Sequence, residues 1–298
     1  MKSLVIQHIV GGDVFFVGCG LILLALLLSN RPMGRWGWSR LLMFGVLGVI
    51  LSATPSPGWF YGLWAVSGLA FVVLRPKSTP STKSVESAEV TELPAQPRWW
   101  STPWLACGMT IAAVLLELPY HFSPGISQWP ERIIVLGDSI SAGIDDNSSR
   151  TWPNLLASST GIEVLDLSRS AATVGSTNEF MEERANDEPL GPGLVLIELG
   201  GNDVLGGTSV GEYEHQLDQL LSQVTPGHQV LMFELPLPPT YNRFGSVQRR
   251  LAAQYNVQLI PKSIFARLLI SPETTLDSIH LSPAGHARFA AVVANLLK

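Results

Sequence analysis

The chain has 298 residues, 46% of them hydrophobic and only 14% charged, against about 25% charged in an ordinary soluble domain. Its formal net charge of −5 is split: residues 1–130 hold 8 Lys/Arg against 5 Asp/Glu, and residues 131–298 hold 11 against 19. The acidic second half lacks the basic surface that phosphate contacts need, which excludes a nucleic-acid binder, and without a cysteine it has neither a disulfide nor a Cys-based metal site.

The first half reads as membranous. Val14 to Leu28 is almost purely apolar and extends back toward Leu4, with Asp13 near an interface. Further apolar runs cover Leu41 to Ala53, Trp59 to Leu74 and Trp99 to Leu116. A spanning helix needs about 20 apolar residues; the first, third and fourth runs approach this and the second is short. Cys19 and Cys107 lie inside these runs as buried thiols. Arg31, Arg35 and Arg40 follow the first run, and Arg75, Lys77 and Lys83 follow the third. The excess of positive charge on cytoplasmic loops puts both segments inside and residues 121–298 outside. Seven of the nine tryptophans fall in residues 36–104, several beside helix ends, as interfacial anchors do.

These features predict a membrane region over residues 1–77 with about three spans, a flexible cytoplasmic loop over 78–98 and a fourth span over 99–118. A juxtamembrane tether over 119–130 then leads to a second domain, 131–298. From Arg132 the pattern becomes β-rich runs alternating with amphipathic stretches. Strands are expected at 133–136, 163–167, 194–199, 229–233 and 257–260, and helices at 152–159, 210–224, 247–255 and 283–297. In the second of these helices Tyr213, Leu217, Leu220, Leu221 and Val224 mark one apolar face. Alternating strands and helices mean an α/β fold with a parallel sheet covered on both faces. Ligands of such folds bind beyond the C-terminal strand ends.

Four short pieces converge on that edge. Gly137-Asp138-Ser139 follows the first strand and offers a serine nucleophile; the Gly-x-Ser-x-Gly elbow of α/β-hydrolases would need glycine at Ser141. Ser168 to Thr173 follows the second strand. Gly200-Gly201-Asn202-Asp203 follows the third; two glycines permit close backbone approach, and the Asn202 amide is a neutral donor for an oxyanion. Asp138 and Asp203 read as loop buttresses. Near the end, Asp277 and His280 have the spacing of a base and its orienting carboxylate, with His286 as the rival base. Nucleophile, oxyanion donors, base and carboxylate together make a kit for acyl transfer to water.

This order of motifs resembles the SGNH (GDSL) hydrolase family over residues 131–298, and is similar to its bacterial thioesterase/lysophospholipase branch. The resemblance implies a three-layer flavodoxin-like α/β fold, here preceded by an α-helical transmembrane region, and a serine-esterase mechanism without metal or cofactor. It implies Ser139 as nucleophile, His280 as base, Asp277 as its partner, and an oxyanion hole from Ser139, Ala171 and Asn202, supported by Gly137, Asp138, Gly200, Gly201 and Asp203. The family has glycine where Ala171 stands, so a positive φ or room for the acyl group is at stake there. The expectation is a multi-pass protein of the cytoplasmic membrane, its hydrolase domain on the outer side, acting on an acyl ester or thioester of a lipid or an acylated glycan. The alternatives are an O-acetyl esterase or acyltransferase on envelope glycan, and a catalytically silent binding module.

Overall fold

The computed structural model describes residues 2–29, 35–74, 101–126, 129–144, 150–185, 190–270, 273–277 and 279–298. The first half is helical: α1 (Lys2–Val10), α2 (Asp13–Leu28), α3 (Arg35–Leu51), α4 (Gly58–Leu74) and α5 (Ser101–Glu117), then a 3-10 turn at Leu118–His121. The first apolar run is not one straight helix, because α1 and α2 meet at a 78° bend. Gly12 sits there at φ +87°, a left-handed conformation that glycine adopts without a Cβ clash. Phe15, Cys19, Ile22 and Leu26 of α2 pack against Phe60, Trp64 and Ala113 of the neighbouring helices.

Among the described residues, one stretch, Pro103–His121, is long and apolar enough to cross a membrane. The bent pair Leu4–Val10 and Asp13–Leu28 counts at most as one broken span, and Gly37–Leu51 and Gly58–Val73 are apolar but shorter. The expected cytoplasmic loop over 78–98 lies outside the described residues, as do Arg31, Arg75 and Lys77 of the basic segments.

The second half runs β1 (Arg132–Gly137), α6 (Ser139–Ala142), α7 (Trp152–Thr160), β2 (Glu163–Asp166), α8 (Val174–Ala185), β3 (Leu194–Glu198), α9 (Gly201–Leu205) and α10 (Val210–Val224). It continues through β4 (Gln229–Phe233), α11 (Asn242–Gln254), β5 (Gln258–Ile260), α12 (Lys262–Leu269) and α13 (Pro283–Leu296). The five strands form one sheet in the order β2-β1-β3-β4-β5, and every pairing is parallel. Side chains alternate across a strand. Ile134, Leu136, Val195, Ile197, Val230 and Met232 therefore face α8, α10 and α11, while Ile133, Val135, Leu194, Leu196, Leu231 and Phe233 face α7, α12 and α13. Trp152 stacks on Phe289 at 4.7 Å between centroids in the second layer, and burying a side chain such as Phe289 contributes roughly 1.5–3 kcal/mol.

The five predicted strands are present, and α10 buries the apolar face read from its spacing. Ser209 Oγ accepts from Glu212 N at 3.1 Å and starts that helix. Four helices escaped the sequence reading: α6, α8, α9 and α12. α8 is VGSTNEFMEERA, with too few apolar residues to show a period. α11 begins at Asn242, five residues before the expected start, because its first turn packs on the helical half.

That packing joins the two halves. The α11 guanidinium of Arg249 donates to both oxygens of Glu117, at 2.5 and 2.9 Å, and to Glu234 Oε1 at 2.6 Å. Its Cζ lies 3.6 Å from the centroid of the Tyr120 ring. Lys262, also buried, donates to the Ala53 carbonyl and stands 3.8 Å from Glu117. The Asn242 amide donates to the Ser52 and Thr54 carbonyls, and Ser246 Oγ to that of Pro55. The first residues of the expected juxtamembrane tether, Tyr120 and His121, take part in these contacts, Tyr120 under Arg249 and His121 edge-on to Phe16.

Candidate active site

The site is built where β1, β2 and β3 end. A Cβ on Gly137 would stand 2.4 Å from Ser141 Oγ and 2.8 Å from Ser168 Oγ. Only glycine fits between the turn that carries Ser139 and the turn after β2. Asp138 Oδ1 accepts from Ile140 N at 2.8 Å and starts α6, whose first residue is Ser139. Ser139 is 7% exposed.

The turn after β2 is tied to β1 by Arg169 N donating to the Gly137 carbonyl at 3.0 Å. Within it Ala171 has φ +59°. Alanine here occupies the left-handed region, at a cost of about 1–2 kcal/mol. Replacing Ala171 with glycine removes that strain and returns about 0.4–1 kcal/mol of it as unfolded-state entropy. The expected outcome is a melting temperature raised by about 1–4 °C, read by thermal denaturation; a fall would mean that the left-handed turn is not the solution conformation. Among the described hydrogen bonds, neither the Ser139 nor the Ala171 backbone N–H donates to a protein acceptor.

The third turn opens with Gly200 at φ +110°, where a Cβ would come within 2.9 Å of Leu235 Cδ1 and 3.0 Å of the Tyr213 hydroxyl. Asn202 Nδ2 donates to the Ala172 carbonyl at 2.9 Å and, at a long 3.4 Å, to Asp138 Oδ2. Asp203 is fully buried. Its Oδ2 accepts from Val174 N at 3.1 Å, so it holds the start of α8 and stays away from the chemistry. A Cβ on Gly201 would meet only Asp138 Oδ2, at 3.6 Å, an ordinary contact.

His280 Nδ1 lies 2.7 Å from Asp277 Oδ2, and Asp277 Oδ1 accepts from the backbone N–H groups of His280 at 2.8 Å and Ile279 at 3.1 Å. The backbone N–H of His280, then its ring, then the Ile279 N–H hold the Asp277 carboxyl down at about 2. Against a carboxylate, Nδ1 carries the proton and Nε2 is left as the basic nitrogen. The rival His286 is buried, and its Nδ1 accepts from Trp152 N at 3.2 Å. Burial lowers its pKa, so it secures the start of α7 instead of facing solvent.

Sequence reasoning missed a polar layer beneath Ser139. Glu198 Oε2 accepts from Ser141 Oγ at 2.9 Å, and Ser141 Oγ accepts from Trp152 Nε1 at 3.1 Å. Burial pushes up both acids of the pair, Asp138 to about 6 and Glu198 well above its usual range. Asp138 in turn accepts from the Asn202 amide. The available signal was Glu198 itself, the single polar residue in an otherwise apolar strand. Among the described residues no three His, Cys, Asp or Glu side chains gather so as to hold a metal ion.

A family model described as GDSL-like Lipase/Acylhydrolase matches residues 135–288. The arylesterase of Vibrio mimicus is 31% identical over 196 residues, covering 61% of this chain and 96% of that protein. The thioesterase 1/protease 1/lysophospholipase L1 of Escherichia coli K12 is 31% identical over 137 residues, covering 44% of this chain and 66% of that one. The crystal structure of the psychrotrophic esterase EstA from Pseudoalteromonas sp. superposes with a TM-score of 0.50 at 21% identity, over 56% of this chain and 96% of that one; this likeness concerns the fold.

Proposed function

The chain belongs to the GDSL-like lipase/acylhydrolase family and is a serine hydrolase of ester bonds, and from there we propose that Ser139, His280 and Asp277 are its catalytic residues and that the helical half anchors it in a membrane. The observation that carries the assignment is the 2.7 Å contact of His280 Nδ1 with Asp277 Oδ2 on the edge that also holds Ser139. Ser139 Oγ attacks the acyl carbonyl carbon while His280 Nε2 takes its proton. The oxyanion meets the unengaged N–H groups of Ser139 and Ala171 and the Asn202 amide, whose long bond to Asp138 is the one to give way. The tetrahedral intermediate collapses, and His280 hands its proton to the departing alcohol or thiol. Water then attacks the acyl-serine while His280 takes its proton, and His280 returns that proton to Ser139 Oγ as the bond to serine breaks and the acid leaves.

Support for anchoring comes from Pro103–His121 and from large apolar side chains pointing outward on the other helices, such as Val17, Ile50 and Leu69 at 63–65% exposure. In this reading residues 1–77 and 99–118 are the membrane region, 78–98 a cytoplasmic loop, and 131–298 the hydrolase domain on the outer face. The substrate is an acyl ester or thioester of a lipid.

Fluorophosphonate treatment of the full chain, followed by peptide mass spectrometry, is expected to place the adduct on Ser139. A chain-length series of p-nitrophenyl esters is expected to favour long acyl groups. An adduct elsewhere sinks the nucleophile assignment, and an acetyl-only profile moves the substrate to O-acetylated envelope glycan.

A further inference from the structure

In the hydrolase half, the exposed large apolar side chains among the described residues are Ile144, Leu205, Tyr241, Leu276 and Ile279, at 42–70% exposure. None lies on the outer faces of α7, α8, α10, α11, α12 or α13. All five lie on one edge. Ile144 follows α6, Leu205 ends α9 three residues after Asn202, and Tyr241 precedes α11, so these three occupy connections leaving β1, β3 and β4 at their C-terminal ends. Leu276 and Ile279 flank Asp277 in the loop that carries His280. Leu276 and Ile144 line one small cavity with Gly143 and Leu281. Scattered apolar residues on a surface need no explanation, but a set confined to the rim of one site marks an interaction surface.

The same edge meets the helical half. The groups that hold the halves together, Glu234, Asn242, Ser246, Arg249 and Lys262, belong to the connections and helices that follow β4 and β5. The β4–β5 end of the edge is thus fastened to the helices, and its β1–β3 end, with Ser139, continues sideways beyond them. A bilayer around the helices would lie along that free end.

We propose that this apolar rim docks onto the surface of the bilayer that holds the helices, so that Ser139 takes acyl esters from membrane lipid without their release into water. The inference rests on the membrane-anchored esterase reading above and adds a lipid surface as the partner of the catalytic edge. Apolar side chains at an interface bind in proportion to the area they bury. Leu205 and Leu276, 70% and 57% exposed, have the most to bury.

The test uses the full chain in phosphatidylcholine nanodiscs with and without a lipid carrying a shallow nitroxide. Cys19 and Cys107 are buried, so a thiol-reactive fluorophore goes to an introduced cysteine. The label at Leu205→Cys is expected to lose about half its emission to the nitroxide lipid. A label at Gln223→Cys, exposed in the last turn of α10 at the opposite edge, keeps its emission. Equal quenching at both positions, or none at Leu205→Cys, overturns the docking. In parallel, Leu205→Ser/Leu276→Ser is expected to lower turnover of a long-chain ester presented in phosphatidylcholine vesicles by about tenfold or more, with hydrolysis of soluble p-nitrophenyl butyrate unchanged. Equal losses on both esters overturn the proposal, because the side chains then serve the acyl pocket. Quenching at Leu205→Cys in a chain that hydrolyses neither ester supports the docking and counts against the esterase reading instead.

Discussion

In the Ser139→Ala variant, kcat on p-nitrophenyl esters falls by about 10⁴- to 10⁶-fold while KM changes little. The hydroxyl binds little of the ground state, so its loss appears in the chemical step. His280→Ala falls to a similar level, and the double variant falls no further. Without a nucleophile the base has nothing to activate, and without the base the serine hydroxyl is a poor nucleophile, so the two act as a unit. What remains is the oxyanion turn, which still polarises the carbonyl toward water. Initial rates for the three variants decide it. Losses that multiply in the double variant would mean that the two residues act in separate steps. A Ser139→Ala enzyme with more than about 1% of wild-type kcat would point to another nucleophile. Ser141 is a poor substitute, because its hydroxyl donates to Glu198 and accepts from Trp152.

Arg249→Ala is expected to destabilise the full chain by about 3–5 kcal/mol, the usual result of stranding buried partners of an ion pair. Glu117 and Glu234 are each 1% exposed, and Arg249 is 7% exposed. Glu117 and Glu234 balance Arg249 and Lys262, so the four formal charges cancel. Removing the guanidinium leaves two carboxylates facing one buried ammonium, whose pKa burial already pulls down. Denaturant unfolding in detergent micelles reads the loss. Arg249→Ala combined with Glu117→Gln and Glu234→Gln recovers part of it, since neutral amides tolerate burial better than unpaired carboxylates. A loss below about 1 kcal/mol for the single variant would mean that water reaches the cluster.

The sheet and much of the site were legible because their causes are local. Apolar runs of four to six residues, punctuated by Gly137, Gly200 and Gly227, mark β1, β3 and β4 without help from the rest of the chain. Asp277 and His280 are three residues apart and meet within one loop. The polar layer under Ser139 was half legible: Glu198 stood out in β3, but nothing in the chain says that Ser141, 57 residues away, fills the space beneath it. The junction of the halves was not legible. Glu117 reads as the polar end of an apolar helix and Arg249 as one more charge on an amphipathic one. They are 132 residues apart, and only the fold makes them partners. Lys262 gave a similarly misleading signal, since lysine is rarely buried.

The buried tetrad changes what a shortened version of this chain would be. Cutting at residue 130 would remove Glu117, Tyr120 and the Ala53 carbonyl together, and would open to water a guanidinium and an ammonium that the intact chain encloses. The helices act here as a missing wall of the hydrolase's own core more than as a leash. A soluble fragment would have to repack that wall before its kinetics could stand for those of the whole chain.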